Sequence, residues 1–435
     1  MKRKIFFILS FLLCLTACQS KQDARFFWGS IAPTGISQQV AVRPFRVAML
    51  LPLTGKMESV GQAFQKSAML ALQEYQDSPM QLLFFDTKGT ISGTEQAWEE
   101  AKVQNPDLVL GPVLSGEVEA LSEQGVNVPT ISFTTDNSVV SDNIYTFGVL
   151  IPSQIERLVQ HMCETGHQKL AVIGPENKTG ELVMNSLIET VERCPNMTLG
   201  EISLYPPETT NFNSAVLKIV PKPIDPKKKN LTEEEKILLE TPIEERLDFD
   251  SLFVFEDNGV KLRQVISLLS YYDVTPKVVP VYGLANWQGV NDRNLVGGYY
   301  AGLPVDRLSG YNKNYQKVFK EKPPRISTLA YDIVSIIARL SEYQAFSVEN
   351  LQQKRGFSGV DGRVRFNADG TNDRLLEIFQ IQSNMMPVSI STVADDFPDK
   401  TRFFEYPTPE TPEINEILVD STEDLTYFSE ALVSE

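Results

Sequence analysis

The chain has 435 residues, long enough for more than one domain core, and carries a formal charge of −16. That acidity excludes a protein that tracks nucleic acid or anionic lipid headgroups through a basic surface. Two histidines and four cysteines leave little material for a metal centre.

At the start, Lys2, Arg3 and Lys4 precede the apolar run "IFFILSFLLCL", which is too short for a stable membrane span. "LTAC" then places small residues before Cys18. This is the pattern of a secretory signal with a lipobox. It predicts a signal peptide over residues 1–17, cleavage before Cys18 and acylation of that thiol, hence a palmitate-bearing envelope lipoprotein. Removing three cations leaves a net charge of −19. No later run approaches the roughly 18 apolar residues of a transmembrane helix. Gln19 stands where Asp favours inner-membrane retention in enterobacterial lipoproteins, so analogy points to the outer membrane. Residues 18–44 read as the lipidated cysteine and a linker, with a mean span of about 30 Å for a flexible chain of that length.

"LPLTG" (Leu51–Gly55) fits the LPxTG pattern that sortases cut. Such a signal needs an apolar stretch and a basic tail close behind it, whereas most of this chain follows Gly55 and its end is acidic. The same letters close an apolar run, "FRVAMLLPL", that reads as a buried strand. "ESVGQAFQKSAMLALQEY" has Val60, Phe64, Ala68, Leu72 and Tyr75 at helical spacing. Strand "MQLLFFDT" follows, then helix "SGTEQAWEEAKVQ" with Ser92 or Thr94 as its cap. "DLVLGP", "SGEVEALSEQG" and "VPTISF" repeat the cycle. This alternation predicts a doubly wound parallel sheet over residues 45–150, with Thr54 and Gly55 on the rim of a cleft at the strand ends.

The pattern restarts at "PSQIERLVQHMCETG". Strand "KLAVIGP", helix "GELVMNSLIETVERC", strand "LGEISLY" and helix "FNSAVLKIV" follow. Residues 221–248 interrupt it with Pro, Lys and a capping box at Thr232 and Glu235, and read as an exposed insertion. Strand "SLFVFED", helix "NGVKLRQVISLLSYY" and strand "KVVPVYG" resume. A second lobe is therefore predicted over 151–285, with the changeover near Phe147 to Pro152. Residues 286–390 read as interlobe crossovers and C-terminal strands shared by both lobes. "GVDGRVRFNADGTNDRLLEIFQIQ" predicts two strands joined at Asp369-Gly370; it lacks the alternating oxygen ligands and closing Glu of an EF-hand. Residues 391–435 carry twelve acids against Lys400 and Arg402 and read as an acidic disordered tail, with a short amphipathic turn around "TEDLTYFSEAL".

The fold class predicted is α/β, two doubly wound parallel-sheet lobes with a cleft between them. "VAMLLPLTGKMESVGQAFQKSAMLALQE", "DLVLGPVLSGEVEALSEQGVNVPTISFTT", "YTFGVLIPSQIERLVQHMCETGHQKLAVIGPENKTGELV" and "GFSGVDGRVRFNADGTNDRLLEIFQIQ" together resemble type I periplasmic binding proteins of the leucine-binding-protein-like group. Within it, "DLVLGPVLSGEVEAL", "NIYTFGVLIPSQIERLVQHMCETGHQKLAVI" and the lipobox are similar to the penicillin-binding-protein activator lipoproteins. That resemblance implies a partner, a peptidoglycan synthase, and a membrane reached through the lipid. It also implies an additional N-terminal helical-repeat domain, in whose place this sequence has the short linker.

In amino-acid-binding relatives, hydroxyls and amides of the first lobe grip the ligand's carboxylate. The matching positions are Ser115, then Ser132, Thr134 and Asp136 in "ISFTTD". Asp136 would repel a carboxylate in a partly dehydrated cleft, and Val60 stands near the place of an aromatic that covers the amino acid. These departures point away from a standard amino-acid ligand. Asp257, beside Glu256, sits at a strand end near the cleft. Cys163 and Cys194 end helices on either side of strand "KLAVIGP". In an exported chain they are predicted to form a disulfide at one edge of the second lobe. His161, Cys163 and His167 fall around a helix end and not on one face, so no metal site is expected. No GxSxG, Walker, HExxH or strand-linked GxGxxG pattern is present, and the expectation is a non-catalytic protein without cofactors. The alternative carried beside the synthase regulator is a solute-binding lipoprotein of an ABC transporter for amino acids or another small ligand.

Overall fold

A computed structural model describes residues 43–343, 345–391 and 397. The expected signal peptide, Cys18 with its lipobox, nearly all of the linker and nearly all of the acidic tail lie outside the described residues.

The first lobe is built from β1 (Phe45–Leu51), α1 (Glu58–Glu74), β2 (Met80–Asp86), α2 (Ile91–Lys102), β3 (Leu108–Leu110), α3 (Ser115–Glu123), β4 (Thr130–Ser132) and β5 (Ile144–Thr146). All its strands are parallel, in the order β2-β1-β3-β4-β5. β1 reads as continuous apolar sequence because both of its faces are covered. Val47, Met49 and Leu51 pack with Phe64 and Ala68 of α1, while Ala48 and Leu50 pack with Trp98 of α2 and Val118 and Leu121 of α3.

The second lobe follows with α4 (Ile151–Glu164), β6 (Lys169–Pro175), α5 (Lys178–Glu192), β7 (Thr198–Tyr205), α6 (Asn213–Ile219), α7 (Glu233–Glu240), α8 (Ile243–Arg246), β8 (Ser251–Val254), α9 (Gly259–Tyr271), β9 (Val281–Gly283) and β10 (Tyr299–Gly302). The chain then runs through α10 (Leu308–Phe319), α11 (Thr328–Glu342), α12 (Val348–Leu351), β11 (Phe357–Gly359), β12 (Gly362–Phe366), β13 (Asn372–Arg374), β14 (Glu377–Ile381) and β15 (Pro387–Ser389). The second sheet has the order β15-β14-β10-β9-β8-β6-β7, parallel from β10 to β7 and antiparallel at β14 and β15. Leu170 and Val172 of β6 pack in one core with α4 and α5, and Ala171 and Ile173 in another with α6 and α9. In the inserted stretch, α7 and α8 bury no residue.

α11 lies in the stretch read as shared by both lobes and belongs with the first. It packs along α1 against the first sheet, and 13 of its 15 residues are buried, among them the polar Thr328, Asp332, Ser335 and Ser341. Two local readings need correction. The cap of α2 is Thr90, whose hydroxyl accepts from Gly93 N, and not Ser92 or Thr94, because the positive-φ pair Lys88-Gly89 turns the chain into the helix earlier. The hairpin turn does fall at Asp369-Gly370, with Phe366 opposite Asn372. Beyond it, however, the expected single strand is divided: β13 stays with β11 and β12 in a small antiparallel sheet, and β14 joins the second lobe.

Candidate functional site: the interlobe cleft

The stretch after β1 turns sharply because Asp86, at the end of β2, gathers it. The Asp86 carboxylate accepts from Leu53 N (2.8 Å), Thr54 N (3.1 Å), the Thr54 hydroxyl (2.6 Å) and Lys88 N (2.9 Å). Partial burial works to raise the Asp86 pKa, but these donors, the Thr54 hydroxyl foremost, outweigh it and hold the group below its usual value. Gly55 then adopts φ +85°, and an added Cβ would lie 2.7 Å from Lys88 O, so glycine is required here. The Thr54 hydroxyl is therefore engaged in holding the turn.

Ser132 is fully buried and donates to Tyr145 O (3.1 Å). Thr134 is buried and its Oγ1 accepts from Asp136 N (3.1 Å). Both hydroxyls are tied to backbone. Ser115 is half-buried in the first turn of α3. Asp136 is buried and accepts from Ser138 N (2.9 Å) and the Ser138 hydroxyl (2.6 Å).

The two lobes meet over Asp136. Lys178, the first residue of α5 in the second lobe, places its Nζ 3.3 Å from Asp136 Oδ2 and 2.5 Å from Glu119 Oε1 on α3. One ammonium thus bridges two carboxylates of the opposite lobe. Glu119, ahead of Asp136, raises the Lys178 pKa. Partial burial pushes Asp136 upward, but Ser138 and Lys178 more than offset it and its pKa falls. On the second lobe, Glu256 is buried, accepting from the Tyr205 hydroxyl (2.8 Å) and Asn258 N (3.0 Å). Asp257 stands next to it. Burial of its carboxyl and the neighbouring Glu256 charge raise its pKa against the Thr179 hydroxyl, while the residue's exposure to solvent limits the effect.

Sequence reasoning missed the joint behind the cleft. Arg374, on β13, donates from Nη2 to Phe147 O (2.8 Å) and from Nε to Gly148 O (3.1 Å), with its guanidinium over the Phe147 ring at 4.3 Å. Asn372 adds a bond to Gly148 O (3.0 Å). Arg325 pairs with the fully buried Asp361 (2.5 Å) and reaches Pro304 O (3.1 Å) on a second connection. Asp332 of α11 accepts from Val360 N (2.8 Å) and Asp361 N (3.0 Å); burial and the nearby Asp361 charge raise its pKa. Two guanidiniums and two carboxylates therefore hold the chain segments that link the lobes. No sequence motif marks them, because the four are spread from Arg325 to Arg374.

Cys163 and Cys194, both buried, are joined in a disulfide with Cα atoms 6.3 Å apart. Among the described residues no group of three or more His, Cys, Asp or Glu is arranged to hold a metal, and no helix is long and apolar enough to cross a membrane.

A family model described as periplasmic binding protein matches residues 44–225. Among solved structures, an ABC transporter substrate-binding protein from Sphaerobacter thermophilus superposes with a TM-score of 0.63 at 16% identity, covering 82% of this chain and 98% of that one. The isoleucine complex of LivJ, the branched-chain amino acid transporter substrate-binding protein of Streptococcus pneumoniae, gives 0.57 at 16% identity, covering 81% and 99%. The chain has the fold of a type I periplasmic binding protein. In sequence it is similar to the penicillin-binding protein activator LpoA of Vibrio cholerae serotype O1, at 20% identity over 351 residues, 76% of this chain and 57% of that one. The activator of the same name from Photobacterium profundum is 26% identical over 148 residues, 33% of this chain and 24% of that one. The chain thus spans little more than half the length of the Vibrio relative.

Proposed function

We propose that this chain is a non-catalytic, lipid-anchored protein of the cell envelope that faces the periplasm from the outer membrane and regulates a peptidoglycan synthase by binding it. The observation that carries the reading is the bridge at Lys178. The first-lobe position that would meet a ligand's carboxylate is itself a carboxylate, Asp136, and the chain's own ammonium lies against it. Such a cleft suits a body that presents its outer surface to a partner better than one that captures an amino acid. The similarity to proteins named as penicillin-binding protein activators supports the same direction. Regulation would follow from unequal affinity for two states of the synthase, which shifts its population toward the active one. The insertion over 221–248 is the contact element proposed: Lys227 to Lys229 lie ahead of α7, whose Ile237 is 65% exposed and whose Leu238 and Leu239 are also exposed.

The fold shared with solute-binding proteins of ABC transporters favours a second reading, delivery of a small solute. Capture distinguishes the two. Tagged residues 19–435, without lipid, are exposed to detergent-solubilised envelope, and the eluate is stained with fluorescent penicillin. A labelled band missing from a control lipoprotein supports the synthase reading. A blank eluate, together with a solute that raises the melting temperature by mass action, overturns it.

A further inference from the structure

α6 and α9 lie side by side on one face of the second sheet, over a core that includes Phe379 and Ile381 of β14. Together they carry Lys218, Lys261 and Arg263 and no carboxylate, in a chain whose net charge is −16. An open groove of about 820 Å³ runs along them, lined by Phe212, Val260, Arg263, Leu268 and Tyr271. Its apolar rim is unusually bare: Val260 is 62% and Tyr271 77% exposed. Arg263 is exposed and has no ion-pair partner among the described residues. The groove thus offers an apolar strip with a free cation beside it, suited to an acidic amphipathic segment.

The sequence contains such a segment in the same chain. In "STEDLTYFSEALV", residues 421–433, Leu425, Phe428 and Leu432 fall at i, i+3 and i+7. Ser421 with Asp424 three positions on is a helix-start pattern, and Glu423, Asp424 and Glu430 supply the negative charge. The geometry allows it to arrive. The described chain runs to Ser391 just past β15, and Phe397 then lies against the Arg363 and Arg365 guanidiniums of β12, 5.6 and 4.5 Å from its ring. From Phe397 the chain has 24 residues to Ser421, a mean span of about 27 Å as a coil and a reach of about 80 Å extended.

We propose that residues 421–433 dock as an amphipathic helix in the α6–α9 groove of their own chain, Leu425, Phe428 and Leu432 covering Val260, Leu268 and Tyr271 while a carboxylate meets Arg263. The docked segment masks a basic, apolar surface of the second lobe. This contact is independent of the synthase reading.

The test places benzoylphenylalanine at position 428 of the mature chain carrying Cys18→Ser, irradiates it at low protein concentration, and maps the cross-link by mass spectrometry. The expected product is a single-chain adduct on α6 or α9, with its yield reduced several-fold by Arg263→Glu in a variant whose melting temperature is unchanged. Adducts spread over both lobes, covalent dimers in place of single-chain adducts, or a yield indifferent to Arg263→Glu would each overturn the proposal. A second readout avoids the groove altogether. Leu425→Asp should speed hydrogen exchange of the α9 amides several-fold in the full chain, and unaltered exchange would also overturn it.

Discussion

Replacing Arg374 by Met tests the joint between the lobes. The guanidinium makes two charge-assisted bonds to the carbonyls of Phe147 and Gly148, each worth about 1.5–3 kcal/mol when the partner is charged. Its removal also leaves Asp332 and Asp361 with Arg325 as the nearest cation, and breaking a buried charge set in this way costs about 3–5 kcal/mol. The two contributions overlap, so the expected loss is about 4 kcal/mol, a large part of the roughly 5–15 kcal/mol of a typical domain. Guanidinium denaturation followed by tryptophan fluorescence reads it as a lower midpoint. Lys178→Met is the matched control: it breaks the ion pairs to Glu119 and Asp136 of a lysine that is 58% exposed and should cost about 1 kcal/mol. If Arg374→Met loses no more than Lys178→Met, the buried arginine is not what fixes the crossover and the reasoning fails.

Other perturbations have defined outcomes. Burial, then the charges of Arg157 and His167, lowers the His161 pKa from 6.5 to about 4. The folded state therefore binds fewer protons than the unfolded state between those values, and stability falls as pH drops from about 6.5 to 4. The shift corresponds to about 3 kcal/mol at most and, because the ring is partly exposed, to about 1–2 kcal/mol after solvent screening. His161→Gln should flatten that part of a stability-versus-pH curve, and an unchanged slope would contradict the assignment. Gly61→Ala puts a Cβ 2.1 Å from Pro52 O, and overpacking against backbone should lower stability by about 1–3 kcal/mol in a thermal melt. A neutral result would mean that α1 is free to shift away from the turn after β1. The double variant Cys163→Ser, Cys194→Ser opens a loop of sequence separation 31 and should lose about 3–4 kcal/mol by chain entropy, again read by denaturant midpoint; a loss below about 1 kcal/mol would place the constraint elsewhere.

What the sequence discloses follows from locality. β1 and α1 were legible because a strand covered on both faces is apolar throughout and a helix covered on one side repeats its apolar residues every turn. The Thr232–Glu235 capping box was legible for the same reason, since both of its bonds close within one turn. α11 escaped because its all-round burial depends on α1, more than 250 residues earlier, and nothing in "TLAYDIVSIIARLSE" names that partner. The cleft shows both behaviours. Asp136 stood out by its place in "ISFTTD", but the lysine that meets it lies on the other lobe and is reached through the fold. The Arg374 clamp is likewise a product of β13 returning to the first crossover, a contact spanning 226 to 227 positions.

The central claim is regulation of a peptidoglycan synthase, and its direct test is catalytic. A purified synthase recovered by capture on this chain would be assayed on lipid-linked peptidoglycan precursor, with and without the unlipidated mature chain, over a range of concentrations. The account predicts a several-fold, saturable rise in the synthase's rate that persists in Lys178→Met and weakens when Lys227, Lys228 and Lys229 are replaced by Glu. A rate that stays flat at concentrations that saturate binding would contradict it.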